Sequence, residues 1–164
     1  MGHTSALRAG AMLLLTGCLG APLAAQEAKR ANARPVAIDP AQKIVLDRSG
    51  EPATGKASYY GKEFFGRTMA DGSPMDPDSN IAASRTLPIG TKARVTNLEN
   101  GKSAVVEIRD RGPYIEGRIV DLTPRTAAQL NIIHQGVAPV KVTPIEVPQR
   151  DGSIKLGAAA SADD

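Results

Sequence analysis

Dense apolar patterning is confined to residues between about Ala53 and Pro148, where it comes in short runs closed by Gly, Pro or Asn-Gly. Apolar and polar residues alternate from Ala104 through Val105, Val106, Glu107 and Ile108, and this period of two predicts a strand. Arg111-Gly112-Pro113 cannot continue it, because proline fixes φ and donates no hydrogen bond. Asp110 is therefore expected at a strand end, where a carboxylate can be both poorly solvated and reachable. Thr91 to Leu98 and Lys102 to Ile108 flank Glu99-Asn100-Gly101, and the Asn-Gly pair predicts a tight hairpin because both residues tolerate positive φ. Val137 to Val147 reads as one or two strands broken at Pro139 and Pro144, at an edge or a barrel corner. Ile119-Val120-Asp121-Leu122 stops at Thr123-Pro124, an N-cap residue followed by proline at the first helical position. That signal opens the best helix, Pro124 to Asn131. The expected domain is mainly β, with one or two short helices.

The flanks differ from the domain. Arg8, the apolar run from Ala11 and the small residues after it form an export signal, and Leu15-Thr16-Gly17-Cys18 has the form of a lipobox. The expected division is residues 1–17 as lipoprotein signal, 18–52 as tether, 53–148 as the folded domain and 149–164 as a disordered tail. An ordinary signal cleaved after Ala25 is the alternative. Cys18 is the only cysteine, so no disulfide can form within the chain, and lipidation gives the lone thiol a purpose. As a flexible coil of about 34 residues, the tether would span roughly 30 to 35 Å. The tail has no periodic apolar face and is expected to fray.

Composition removes several chemistries. The net charge of +3 falls to +2 between Ala53 and Pro148, where 12 Lys and Arg face 10 Asp and Glu, too weak a field to imply nucleic acid. His134 is the only histidine after the signal, so a zinc site built on His and Cys is not available, and it reads as a loop residue. No serine has a nucleophile-elbow context, and no glycine-rich phosphate loop precedes a helix. Carboxylate chemistry remains. For Asp110 two roles stay open, acid and base in catalysis or a cap on the Arg111-Gly112 turn. Asp121, flanked by Ile119, Val120 and Leu122, reads as a partner for backbone groups.

The chain also resembles a known family. Ala57-Ser58-Tyr59-Tyr60-Gly61, Ala82-Ala83-Ser84-Arg85-Thr86-Leu87-Pro88, Arg94-Val95-Thr96-Asn97-Leu98, Asp110-Arg111-Gly112-Pro113 and Gly117-Arg118-Ile119-Val120-Asp121-Leu122 keep the order and spacing of motifs in the rare lipoprotein A family of bacterial lytic transglycosylases, over about residues 55 to 147. The resemblance implies a six-stranded double-psi β-barrel that cuts peptidoglycan glycan strands without hydrolysis, preferring strands without stem peptides and leaving 1,6-anhydro ends. It implies Asp110 as the catalytic residue, no cofactor and no metal. Expected partners are glycan strands, and the membrane through a lipid on Cys18, for a monomer at the periplasmic face of the cell envelope. Tyr60 and Tyr114 are candidates to stack on or bond sugar rings, with Phe64 and Phe65 read as core. Ser84 is a candidate for a sugar hydroxyl, and Arg85, Arg109 and Arg111 for the muramic lactyl carboxylate. This sequence departs from the family pattern in three places: Ser73 and Ser84 stand where members carry Glu and His, and Arg109 replaces an Asn. A catalytically silent glycan-binding lipoprotein of the same fold is the alternative.

If Cys18 carries the lipid, Cys18→Ala should leave a precursor that does not mature as a lipoprotein. Detergent partitioning of the mature protein reads this directly, and an unlipidated N-terminus at Gln26 would exclude it.

Overall fold

A computed structural model describes residues 44–160; the signal and Cys18 lie outside the described residues. Seven strands, β1 (Ala53–Tyr59), β2 (Ile81–Ser84), β3 (Lys92–Asn97), β4 (Ser103–Asp110), β5 (Arg118–Leu122), β6 (Ala138–Pro148) and β7 (Ile154–Leu156), accompany helix α1 (Pro124–Gln129) and a 3-10 turn at Lys62–Phe64. Neighbours run β1-β5-β2-β4-β3-β6, and β6 returns to β1, so six strands close into a barrel with β7 added outside β6. The β1–β5 and β2–β4 pairs are parallel and the others antiparallel.

Alternation along each strand sends one set of side chains inward. Ala57, Ala82, Val95, Val106, Ile108, Val120, Leu122 and Val140 fill the barrel and are almost completely buried. Each such Val, Leu or Ile contributes about 1.5–3 kcal/mol through burial. Helix α1 starts as its sequence dictates: Thr123 is extended and its hydroxyl accepts from the Thr126 N–H, with Pro124 at N1. Leu130 and Ile132, just past it, join the same core. A second apolar cluster, Tyr60, Met69, Met75, Ile81 and Ala83, holds the long β1–β2 connection against the outer wall.

Several boundaries differ from the sequence reading. The β3–β4 turn is longer than an Asn-Gly two-residue loop: the Gly101 N–H donates to the Asn97 carbonyl (2.9 Å) and the Asn97 N–H to the Lys102 carbonyl (2.8 Å). Only Gly101 adopts positive φ there (72°). Asn100 instead uses its side chain, accepting from the Lys102 N–H and donating to the Leu130 carbonyl. The two prolines do not divide β6. Pro144 pairs with Ala93 beside a register shift, a bulge that spares its missing N–H, and the Pro139 carbonyl accepts from Leu98 N–H (3.0 Å).

The tail expected to fray from Gln149 turns back instead. Gln149 N–H donates to the Ser153 carbonyl (2.8 Å), and β7 then pairs with Glu146, Val147 and Pro148. Beyond it, a Cβ on Gly157 would lie 2.4 Å from the Pro144 carbonyl oxygen, so only glycine fits. The last residues assigned to the tether also pack: Asp47 N–H donates to the Thr86 carbonyl (2.8 Å) and Ala158 N–H to the Gly50 carbonyl (3.0 Å). Backbone hydrogen bonding rather than apolar periodicity orders both segments.

Because Gly101 alone supplies the left-handed residue of its turn, Gly101→Val should destabilise the domain by about 1 kcal/mol or more. A melting temperature equal to wild type would show that the turn tolerates a β-branched residue.

Candidate functional site

Asp110 owes its position to a break in register. Ile81 pairs with Glu107 and Ala82 with Ile108, but Ala83 pairs with Asp110, so Arg109 is an extra residue in β4. Without that bulge, alternation from Val106 and Ile108 would point Asp110 into the barrel. With it, Asp110 shares the outer face with Ala83, whose cluster lies outside the core. Bulges commonly re-aim a side chain in this way. The same row continues into β5 and β1, where Ala83 pairs with Asp121 and Asp121 with Ser58.

Three donors meet the Asp110 carboxylate. Oδ1 accepts from the backbone N–H groups of Ala70 (2.9 Å) and Arg111 (2.8 Å), and Oδ2 accepts from the Tyr60 hydroxyl (2.9 Å). The Arg111 bond is the turn cap read from sequence, so capping and a place in the lining of a cleft coexist in one residue. Each carboxylate oxygen offers about two lone-pair sites. Oδ1 is filled by its two amides, whereas Oδ2 keeps a site for something else. Asp110 lines a cleft of about 230 Å³ with Tyr60, Phe64, Arg67, Thr68, Met69 and Met75.

Burial, and then the charge and hydrogen bond of Asp110, hold the Tyr60 phenol far above its ordinary range, so it stays neutral. A neutral phenol can donate to an ionised Asp110 or accept from a protonated one. Its ring tilts against Phe64 at 5.8 Å between centroids, and the Arg67 guanidinium stands 5.8 Å from the Phe64 ring centre. Phe64 and Phe65, read as core, are 41% and 38% exposed. The barrel is already filled by aliphatic side chains, and the 3-10 turn carries both rings outward.

The other candidates fall in different places. Ser84 is buried, and its Oγ accepts from the Leu87 N–H (3.2 Å) within its own turn. Arg111 donates from Nη1 to the Ser84 (3.0 Å) and Leu87 (2.6 Å) carbonyls, tying that turn to the end of β4, and burial lowers its pKa. Arg85 and Tyr114 are half-buried and outside the lining of the cleft. Ser73 and Arg109 both bind Asp71: the Ser73 Oγ (2.7 Å) and N–H (2.9 Å) donate to Oδ1, and Arg109 Nε pairs with Oδ2 (2.7 Å). The Ser73 contacts first, with Arg109 adding to them, hold the Asp71 carboxyl below the ordinary range. Tyr60 and Asp110 are thus the two candidates that the fold brings together in the cleft. Phe64 and Arg67 join them unforeseen, and their sequence signal was an aromatic pair followed three residues later by a cation in a segment without strand periodicity.

Asp121 has a different environment. It accepts from Ser58 Oγ, to which Arg118 Nη1 also donates (3.3 Å). Burial raises its carboxyl above the ordinary Asp range, the Asp110 charge adds to this, and Ser58 and Arg118 oppose it.

A polar carboxylate cleft on the outer wall of a closed six-stranded barrel with two parallel pairs fits the double-psi class. Residues 52–142 match the profile of the lytic transglycolase family of double-psi β-barrels, and the chain belongs to that family. It is 42% identical over 105 residues to "Endolytic peptidoglycan transglycosylase RlpA" of Vibrio cholerae, covering 64% of this chain and 40% of that protein. A protein of Nostoc sp., "Probable endolytic peptidoglycan transglycosylase RlpA", is 49% identical over 90 residues, covering 54% and 24%. The Pasteurella multocida protein with the same name as that of Vibrio cholerae is 40% identical over 116 residues, covering 71% and 38%. The chain therefore spans less than half the length of these relatives.

The raised Asp121 carboxyl has a sign that can be checked. A folded-state pKa above the unfolded one favours the fold while the group is protonated, and that contribution is lost as pH rises through the raised value. Asp121→Asn cannot ionise, so its melting temperature should gain on wild type as pH climbs from below the ordinary Asp range towards neutrality. A constant difference across that interval would contradict the assignment.

Proposed function

We propose that this domain cleaves peptidoglycan glycan strands by lytic transglycosylation, with Asp110 as the single acid and base. The observation that carries this reading is the Asp110 carboxylate, fixed by two amides on Oδ1 while Oδ2, with spare acceptor capacity, belongs to a group lining an open cleft. The three relatives, two named as endolytic peptidoglycan transglycosylases and one as a probable one, support the substrate class.

In the reaction, protonated Asp110 gives its proton to the glycosidic oxygen between the muramic C1 and the next sugar. That C1–O bond breaks, and positive charge develops at C1 and the ring oxygen. The muramic C6 hydroxyl oxygen then attacks C1, forming the 1,6-anhydro bond, and its proton returns to the Asp110 carboxylate. Acid and base are one residue at two moments, so no second carboxylate has to activate water as in a hydrolase. Neutral Tyr60 follows Asp110 through both states, donating to the carboxylate and accepting from the acid.

Phe64 supplies an apolar face at the cleft for a sugar ring, with Arg67 beside it. Ser73 and Ser84 do not replace the proton-transfer capacity of Glu and His, because one is tied to Asp71 and the other is buried in its turn. On this reading the preferred substrate is a strand without stem peptides. A lipid on Cys18 would keep the domain beside the wall, at the periplasmic face of a membrane.

Asp110→Asn keeps size and hydrogen-bonding capacity but cannot donate and recover an acid proton. Turnover should fall by about 10² or more while glycan binding and melting temperature are retained. Mass spectrometry of peptide-stripped peptidoglycan for 1,6-anhydromuramyl ends measures it. Wild-type-like release by the variant removes Asp110 from the chemistry, and a wild type that binds glycan but releases nothing favours the silent glycan-binding reading.

A further inference from the structure

We propose that Asp71 and Arg109 form a latch that positions the catalytic carboxylate, an inference that rests on the transglycosylase reading of Asp110. The latch has two bonds. Asp71 N–H donates to the Arg109 carbonyl (3.1 Å), and the Asp71 carboxylate pairs with Arg109 Nε (2.7 Å). Ser73 holds the other carboxylate oxygen, so the side chain of Asp71 has little freedom to turn away. The adjacent residue, Ala70, is the one whose N–H donates to Asp110 Oδ1.

The coupling follows from where these groups stand on the chain. Arg109 is the bulged residue immediately before Asp110, and Asp71 is immediately after Ala70. Joining 71 to 109 therefore fixes the register between 70 and 110. No strand pairing performs this task, since the loop residues 69–73 lie outside every strand and are held mainly by the apolar anchors Met69 and Met75 and by the Thr68–Pro74 bridge. Apolar contacts set depth but not direction; the latch sets direction.

Magnitudes separate positioning from stabilisation. The Arg109 and Asp71 side chains are 37% and 13% exposed, and ion pairs near a surface contribute little to stability. Displacement of a reacting group by an ångström can cost about 10²-fold in rate. Ser73 and Arg109 both belong to this unit.

Arg109→Gln and Asp71→Asn should each lower kcat by about tenfold with KM within about twofold, since sugar contacts are untouched. The double variant should be no slower than either single one, because both remove the same bond. Arg109→Lys should recover most of the loss. Unchanged kcat, or a change confined to KM, overturns the latch. A second readout does not depend on turnover: amide hydrogen exchange at Ala70 should accelerate in Arg109→Gln while the barrel amides and melting temperature stay as in wild type. An unchanged Ala70 rate overturns the latch even if the wild type is active. If the wild type releases no anhydro ends, the transglycosylase reading fails, and Ala70 exchange alone decides whether the latch holds the carboxylate.

Discussion

One inserted residue in β4 decides which way Asp110 points. Strand β4 contributes Val106 and Ile108 to the barrel interior, and strict alternation would make Asp110 the next inward side chain. An ionised carboxylate in that apolar space would cost several kcal/mol. The bulge at Arg109 turns the same residue to the outer wall, where two amides and a phenol receive it. The interior stays apolar and the carboxylate keeps its polar partners. Arg109, displaced by the bulge, is then free to reach Asp71.

Two carboxylates share one row of the outer face and have different neighbours. Asp110 is held at the cleft by donors on both oxygens. Asp121, two strands away across Ala83, is buried beside Ser58 and biased towards its protonated form. Separating environments in this way is how proteins give similar groups dissimilar roles. Asp121 knits β5 to β1 through the Ser58 contact, while Asp110 lines the cleft. Tyr60 sits close enough to respond to both charges and remains a phenol.

Much of the barrel was legible because strands and caps leave local signals. The Thr123-Pro124 start of the helix, the β3–β4 pair and the end of β4 near Asp110 all follow from residues adjacent in sequence. What escaped depends on pairing. A bulge is a relation between β4 and β2, and nothing in Ile108-Arg109-Asp110 alone marks it. The exposure of Phe64 and Phe65 depends on a barrel already filled by others, and Ser84 is masked by a turn that its own hydroxyl caps. The β7 hairpin did carry a signal in Asp151-Gly152, a turn dipeptide between Val147-Pro148 and Ile154. It was hidden because the three-residue strand beyond is too short to show a period.

The topology has a further consequence, for the order in which the chain can fold. Strand β1 pairs only with β5 and β6, so Ala53–Tyr59 has no β partner until residues 118–122 and 138–142 are available. Every contact that closes the barrel is remote in sequence, and such topologies fold in milliseconds to seconds rather than microseconds. The β3–β4 hairpin, joined by a five-residue loop, is the only barrel pair that can form locally, and it is the natural seed. Until closure, both edges of β1 are open to pairing with other chains. The interval between synthesis of the first strand and arrival of the sixth is when this domain is most exposed to misassembly.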